Sequence, residues 1–387
     1  MRRRLVVLGS VLAVAGGVPT AVGFFVDPRR ASFAYLFGYA SVFTVVAGAL
    51  FLLLIGHASN ATWFVAVRRP AEHVVGTLPA VAALLAPVLL SVKRLYTWTD
   101  PGSLDAHAHR IVLRKAAWLH EPFFVARAFV YFAVLLGVGE LLRSWSLAQD
   151  RDAGRAASLR KRMVALSAGG LPLVAFALTF ASFDWLMSLE PTWYSDVYGV
   201  YVFAGGFVAA LGLFGAMLGV PASRNALPPG VSAEHFSAVG RLELAMVVFW
   251  TYIAWAQLVL QWIADLPLEV TWYIARSHGG WQWVGVALLA LHWAVPFFFL
   301  LSRALKRRRV PFVAVSVWLV AVHALDIYYL VLPALEPGRL GVHWLDLTAL
   351  IGVAGAVLAF GAWRADGVAP YPASDPLFDA STRYEAA

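Results

Sequence analysis

Residues 183–195, FDWLMSLEPTWYS, set Asp184 inside a stretch that otherwise has the composition of a membrane-spanning helix, seven positions before Pro191. The arrangement returns 142 residues later in ALDIYYLVLP (324–333), where Asp326 stands seven positions before Pro333. A carboxylate in hydrocarbon costs about 3 kcal/mol on insertion scales, so one kept there is expected to have a task. Two such residues at matching depth point to two related halves of one chain.

The surrounding sequence makes this an integral membrane protein. Of its 387 residues 61% are apolar and 13% charged. The apolar residues fall in runs of about 20, the length that crosses roughly 30 Å of hydrocarbon. Lipid offers exposed backbone groups no partner, so the runs must be helical. The pattern predicts an all-α fold with ten spans, at 5–26, 31–55, 74–92, 122–142, 163–189, 197–220, 241–262, 281–302, 310–334 and 344–363. The N-terminal MRRRLVVLGSVLAVAGG resembles a signal peptide with Ala13-Val14-Ala15 as a cleavage site, but its apolar run continues to Val26 and reads as a retained first helix.

Charge sets the expected direction. With the N-terminus inside, the inner segments carry 20 Lys and Arg and the outer loops 9, which places both termini in the cytoplasm. The outer loop 93–121, with five positive charges, runs against the rule. The net charge of +8 lies mainly in these short connections, which points to membrane topology rather than nucleic acid. Cysteine is absent, which excludes disulfides, thiolate metal sites, iron–sulfur ligation and C-x-x-C-H haem attachment within the chain. There is no P-loop, dinucleotide glycine pattern or H-E-x-x-H.

The recurring Asp-x6-Pro falls on spans five and nine, and an offset of four spans preserves direction. The expected organisation is therefore a parallel repeat of two four-helix bundles. By residue number it comprises a peripheral helix over 1–30, bundles over 31–196 and 197–334, a last helix over 335–363 and a cytoplasmic tail over 364–387. The longest outer connections, 93–121 and 263–280, follow the equivalent spans three and seven. Ten aromatic residues crowd the outer ends: Tyr96, Trp98, Trp118, Trp193, Tyr194, Trp272, Tyr273, Trp281, Trp283 and Trp344. They read either as an interfacial belt or as a docking surface for an extracytoplasmic partner.

Arg127 enters span four at the level of Asp184, roughly 8 Å deep at 1.5 Å per residue. Two readings are open. The two form a structural ion pair, or Asp184 exchanges a proton beside a hydroquinone while Arg127 tunes it and Tyr131 hydrogen-bonds a quinone oxygen. His323 and Asp326 are three apart on one helical face, and His292 in span eight is expected at the depth of His323. These three are satisfied core groups, a proton relay, or the bis-histidine ligands of a haem. Glu140 and Glu243, near the inner ends of spans four and seven, read as solvated end residues, Glu243 pairing with Arg241. The sharper reading makes them the inner mouth of a half-channel leading to His323 and Asp326.

FDWLMSLEPTWYSDVYGVYVFAGGF (183–207) resembles the ActF-type membrane subunits of alternative complex III, the bacterial quinol:cytochrome c (or electron-carrier) oxidoreductase, within the NrfD/PsrC family of polysulfide-reductase-type membrane anchors. LYTWTDP (95–101), the segment 265–283 and SDPLFDASTRYEA (374–386) extend the likeness. The resemblance implies ten helices in two four-helix bundles plus two peripheral helices, with no haem or cluster of the chain's own and quinone or quinol as a ligand. It implies a subunit of the bacterial cytoplasmic membrane, not active alone. Its partners would be a paralogous NrfD-like membrane subunit, an iron–sulfur subunit, haem-c subunits and small membrane subunits. Asp184 matches the family's intramembrane Asp in FDW. Two alternatives from other classes are a b-type cytochrome with a His292/His323 haem and a secondary transporter. Transporters break helices near a midplane site, whereas here only Pro172 and Pro296 are expected to interrupt a span.

Overall fold

All ten expected spans are helical in the computed structural model, which describes residues 2–220, 230–267 and 270–385. They are α1 (Arg2–Val26), α2 (Pro28–Ala58), α3 (Arg69–Leu90), α4 (Glu121–Arg151), α5 (Ala156–Trp185), α6 (Tyr198–Gly219), α7 (Ala233–Ala264), α8 (Trp281–Leu301), α9 (Arg309–Val331) and α10 (Trp344–Arg364). No strand occurs among the described residues. An even number of spans brings both termini to one face, here the terminal face; the other is the far face. Residues 268 and 269 of the 265–283 segment, and 386 of the tail motif, lie outside the described residues.

Helices α2 to α5 pack on one another, as do α6 to α9, and the groups meet along α2 and α6. These two are buried along nearly their whole length, while the other helices keep apolar faces outward for lipid. Small residues permit the contact: a Cβ on Gly48 would lie 2.6 Å from the Gly206 carbonyl oxygen. Helices α1 and α10 pair outside the bundles in the same way, with the Gly16 Cβ position 2.3 Å from the Gly352 nitrogen. The all-α membrane fold and its two four-helix groups thus match the sequence pattern.

The third span departs from expectation. It is not one helix over 74–92 but three short ones, Arg69–Val75, Leu78–Ala83 and Ala86–Leu90, opening with Pro70, Pro79 and Pro87. Proline lacks the N–H and clashes with the carbonyl four residues back, so it fits best in a first turn. In compensation, the Tyr35 hydroxyl donates to the Leu84 carbonyl at 2.8 Å. Pro172, by contrast, sits inside a continuous α5. Helix α8 widens to a π-helix over Leu289–Ala294, just before Pro296. The interrupted spans are therefore α3 and α8, not α5.

On the far face the connections are folded rather than loose. Tyr96 donates to the Trp185 carbonyl at 3.0 Å, and Lys115 to the Pro191 carbonyl at 2.7 Å. Buried Arg276 pairs with Glu190 at 2.8 Å and stacks 3.7 Å from the Trp272 ring. Tyr96, Trp98, Trp193, Trp272 and Trp281 are buried, which removes half of the ten aromatics from any belt or docking surface. Long amphipathic rings reach a hydrogen-bond partner from inside as readily as from an interface.

On the terminal face the tail is docked. Asp375 pairs with Arg68 and, at 3.3 Å, with Arg160, while the Ser381 hydroxyl accepts from the Ala66 N–H at 2.8 Å. Arg68 also binds Glu72 at 2.9 Å and Gln149 at 2.8 Å. Burial by itself would push the Asp375 carboxyl up. The Arg68 guanidinium, the Leu377 N–H and Arg160 outweigh that and hold it below the usual carboxylate range. A carboxylate depressed in the folded state stabilises docking fully above its unfolded value of about 3.9 and loses that contribution as pH falls through the lower folded value. Limited proteolysis should therefore leave the tail protected down to about pH 4 and expose it below. At neutral pH Asp375→Asn should cost about 1.5–3 kcal/mol of local protection, read as faster cleavage after 365.

Candidate functional site

The two recurring aspartates have different surroundings. Asp184 lies at the last turn of α5, where the helix gives way to a 3-10 turn over Met187–Leu189. Its carboxylate receives Arg127 Nε at 2.7 Å and Nη2 at 2.8 Å, the Tyr131 hydroxyl at 2.7 Å and Trp118 Nε1 at 3.0 Å. Arg127 and Tyr131 are one turn apart on α4, so both reach the same group. The third guanidinium nitrogen donates to the Trp118 carbonyl at 2.8 Å, and the guanidinium lies over the Trp118 and Phe123 rings at 4.1 and 4.4 Å. Asp184 is fully buried, and four donors saturate it. This is a bidentate, charge-assisted clamp between α4 and α5. Tyr131 spends its proton on Asp184, so it has none left for a quinone oxygen.

Asp326 has no such cation among the described residues. Its oxygens accept from Tyr201 on α6 at 2.5 Å and from Trp250 Nε1 on α7 at 3.2 Å. His323 Nδ1 stands 4.0 Å from Asp326 Oδ2, while its Nε2 is 2.8 Å from Thr44 Oγ1 on α2. The Thr44 hydroxyl also lies 2.8 Å from the Ala40 carbonyl. If it donates there, His323 carries its proton on Nε2 and turns a lone pair toward Asp326. His292 sits in the π-helical turn, its ring centroid 4.0 Å from that of Trp250, and neither of its nitrogens has a partner among the described residues. Trp250 thus touches both His292 and Asp326.

Toward the terminal face of the same bundle, Glu243 is fully buried. One of its oxygens accepts from Ser316 at 2.9 Å and the other is unpartnered. This corrects two expectations. Glu243 is not a solvated end residue, and it does not pair with Arg241, which reaches Tyr384 instead; residues two apart lie on different helical faces. Glu140 belongs elsewhere: Arg364 on α10 grips it at 2.5 and 2.8 Å, so it joins neither Glu243 nor the histidines. Ser316, His323 and Asp326 lie along one side of α9, about 15 Å from first to last. Helix α6 faces them with glycines. A Cβ on Gly205 would meet Asp326 Oδ2 at 2.8 Å, and one on Gly215 would meet Ser316 Oγ at 2.7 Å.

His323 engages Nε2 with Thr44, while both His292 nitrogens stay without a partner among the described residues, beside the tilted Trp250 indole. No group of three or more His, Cys, Asp or Glu able to hold a metal occurs among the described residues. Tyr201, Trp250, Thr44 and Ser316 were missed from sequence. The usable signal was the helical spacing of Tyr201, Gly205, Gly212 and Gly215 on one face of α6. No protein-family model matches the chain, and a search of curated proteins finds no relative.

Removing one partner of the Asp184 clamp should strand a buried charge. Arg127→Met or Asp184→Leu alone is expected to destabilise the protein by about 3–5 kcal/mol in detergent unfolding, and the double replacement should recover much of that loss.

Proposed function

We propose that the chain is an integral membrane subunit of a quinol-oxidising respiratory complex of the quinol:cytochrome c (electron-carrier) oxidoreductase type. Its work there is to anchor extracytoplasmic electron-carrying subunits and to conduct protons through α6–α9. One observation carries the proton-conducting part. Glu243, His292, His323 and Asp326 are fully buried along one bundle, no Arg or Lys pairs with them among the described residues, and three of the four keep unpartnered polar atoms. Buried ionisable groups without a counter-ion are costly in a membrane interior and suit groups that bind and release protons. The likeness of 183–207 to the ActF type supports the choice of complex, and the 20-to-9 charge asymmetry supports a cytoplasmic terminal face.

In this reading Glu243 takes protons from the cytoplasmic side, and His292 and His323 pass them to Asp326. The 4.0 Å separation between His323 and Asp326 is wider than a hydrogen bond, so transfer there needs a turn of the imidazole or a bridging water. Tyr201 and Trp250 hold the Asp326 carboxylate toward the histidine. Quinol oxidised near the far face would release two protons and two electrons, the electrons leaving to iron–sulfur and haem-c subunits. A paralogous NrfD-like subunit and small membrane subunits complete the assembly. The Asp184 clamp fixes the far-face ends of α4 and α5, on which such partners would sit. Trp118, whose indole is 38% exposed above Asp184, favours a second role, quinol contact at that rim.

The breaks in α3 favour a rival, a secondary transporter. Purification from native membrane separates the two, since co-elution with iron–sulfur and haem-c subunits is expected for the complex and absent for a transporter. Within the complex in vesicles, His323→Ala and Asp326→Asn should lower proton translocation to near background while quinol:cytochrome c turnover persists. Translocation at normal stoichiometry would sink the relay. Asp184→Asn should leave turnover per assembled complex unchanged if the clamp is structural, and abolish it if Asp184 accepts quinol protons.

A further inference from the structure

A half-open pocket of about 480 Å³ lies between α1, α3 and α10, with Tyr35 of α2 in its wall, on the outer side of the first bundle. Its lining on α1 runs from Ala13 to Phe24, about 16 Å along the helix axis. Those residues belong to the halves of α1, α3 and α10 nearest the far face. The walls are almost wholly carbon. Thr20 and Tyr35 also line it, but their hydroxyls are engaged, by the Gly16 carbonyl at 2.7 Å and the Leu84 carbonyl at 2.8 Å. The Pro87 break in α3 brings two different polar residues to the pocket's far-face end, Ser91 and Arg94.

Ser91 is 2% exposed, and its hydroxyl has no hydrogen-bond partner among the described residues. Arg94 is exposed, and its guanidinium makes neither an ion pair nor a hydrogen bond among them. Its neighbour Lys93, by contrast, has Glu121 at 3.8 Å. An unpaired cation and a free hydroxyl thus cap an elongated apolar cleft that opens toward lipid. Gly17 adds to the room, since a Cβ built there meets nothing within 4 Å. From this arrangement we infer that the pocket is a site for one anionic phospholipid, an acyl chain lying along α1 and α10 and the phosphate held by Arg94 and Ser91. A neutral quinone head group would leave the guanidinium unmatched; a phosphate diester matches it.

The purified full-length chain, delipidated in detergent, can be titrated with phosphatidylglycerol and phosphatidylcholine and read by native mass spectrometry. Phosphatidylglycerol should bind about fivefold more tightly, the scale of one basic residue against an anionic lipid. Arg94→Ala should erase that preference, and Gly17→Leu, which fills the cleft, should weaken both lipids. Equal binding of the two lipids by the unaltered chain, or a preference that survives Arg94→Ala, would overturn the proposal. So would glycerol phosphate without acyl chains competing as well as the whole lipid, or a short-chain quinone displacing it regardless of Arg94. Should a variant fail to fold, phosphatidylglycerol with a photoactivatable acyl chain on the unaltered protein decides: adducts within 13–24 and 349–356 are expected, and adducts only elsewhere refute the site.

Discussion

An ionisable side chain withdrawn from water must find its partners inside the protein, and this one requirement organises the whole chain. In the first bundle and around its edges it is met with arginine. Arg127 grips Asp184 between α4 and α5, Arg30 meets Asp346 between α2 and α10, Arg364 forks onto Glu140 between α10 and α4, and Arg68 holds Asp375 of the tail. Each pair joins segments distant in sequence, so the charges that would be most costly to bury alone become the pins of the fold. The second bundle meets the requirement only in part. Glu243 and Asp326 receive hydroxyl and indole donors, and no arginine or lysine is paired with either among the described residues.

That difference bears directly on chemistry. A carboxylate clamped bidentately by a guanidinium and saturated by two further donors is fixed in position. One held only by neutral donors beside imidazoles has no fixed counter-charge, at the cost of a less completely satisfied interior. The two Asp-x6-Pro aspartates therefore have different surroundings. One is clamped at the rim of the first bundle, and the other is a member of a polar file in the second. Glycines on α6 are the packing counterpart, since only their lack of a Cβ lets the helix approach Asp326 and Ser316.

Much of this was legible in the chain. Ten apolar runs of spanning length, two bundles in parallel order and the pairing of Arg127 with Asp184 follow from hydropathy, span parity and depth, which depend on one helix at a time. Breaks in α3 were legible in principle from Pro70, Pro79 and Pro87. Hydropathy averages across proline, whereas the backbone does not, so the apolar run alone reads as one helix. Burial of Trp98, Trp193 and Trp281 was not legible, because an aromatic near a span end has the same composition whether it faces lipid or the interior.

Sequence by itself determined the ten spans and their alternating direction, because rise per residue and hydrocarbon thickness are fixed lengths. Tertiary structure alone decided which groups meet at a given depth. It set Thr44 of α2 against His323, Trp250 between His292 and Asp326, and Arg364 against Glu140, which stays partly exposed. Those choices depend on how each helix is rotated and which neighbour it packs against. Close approach at Gly48 and Gly206, more than any local preference, sets that rotation where the two bundles meet.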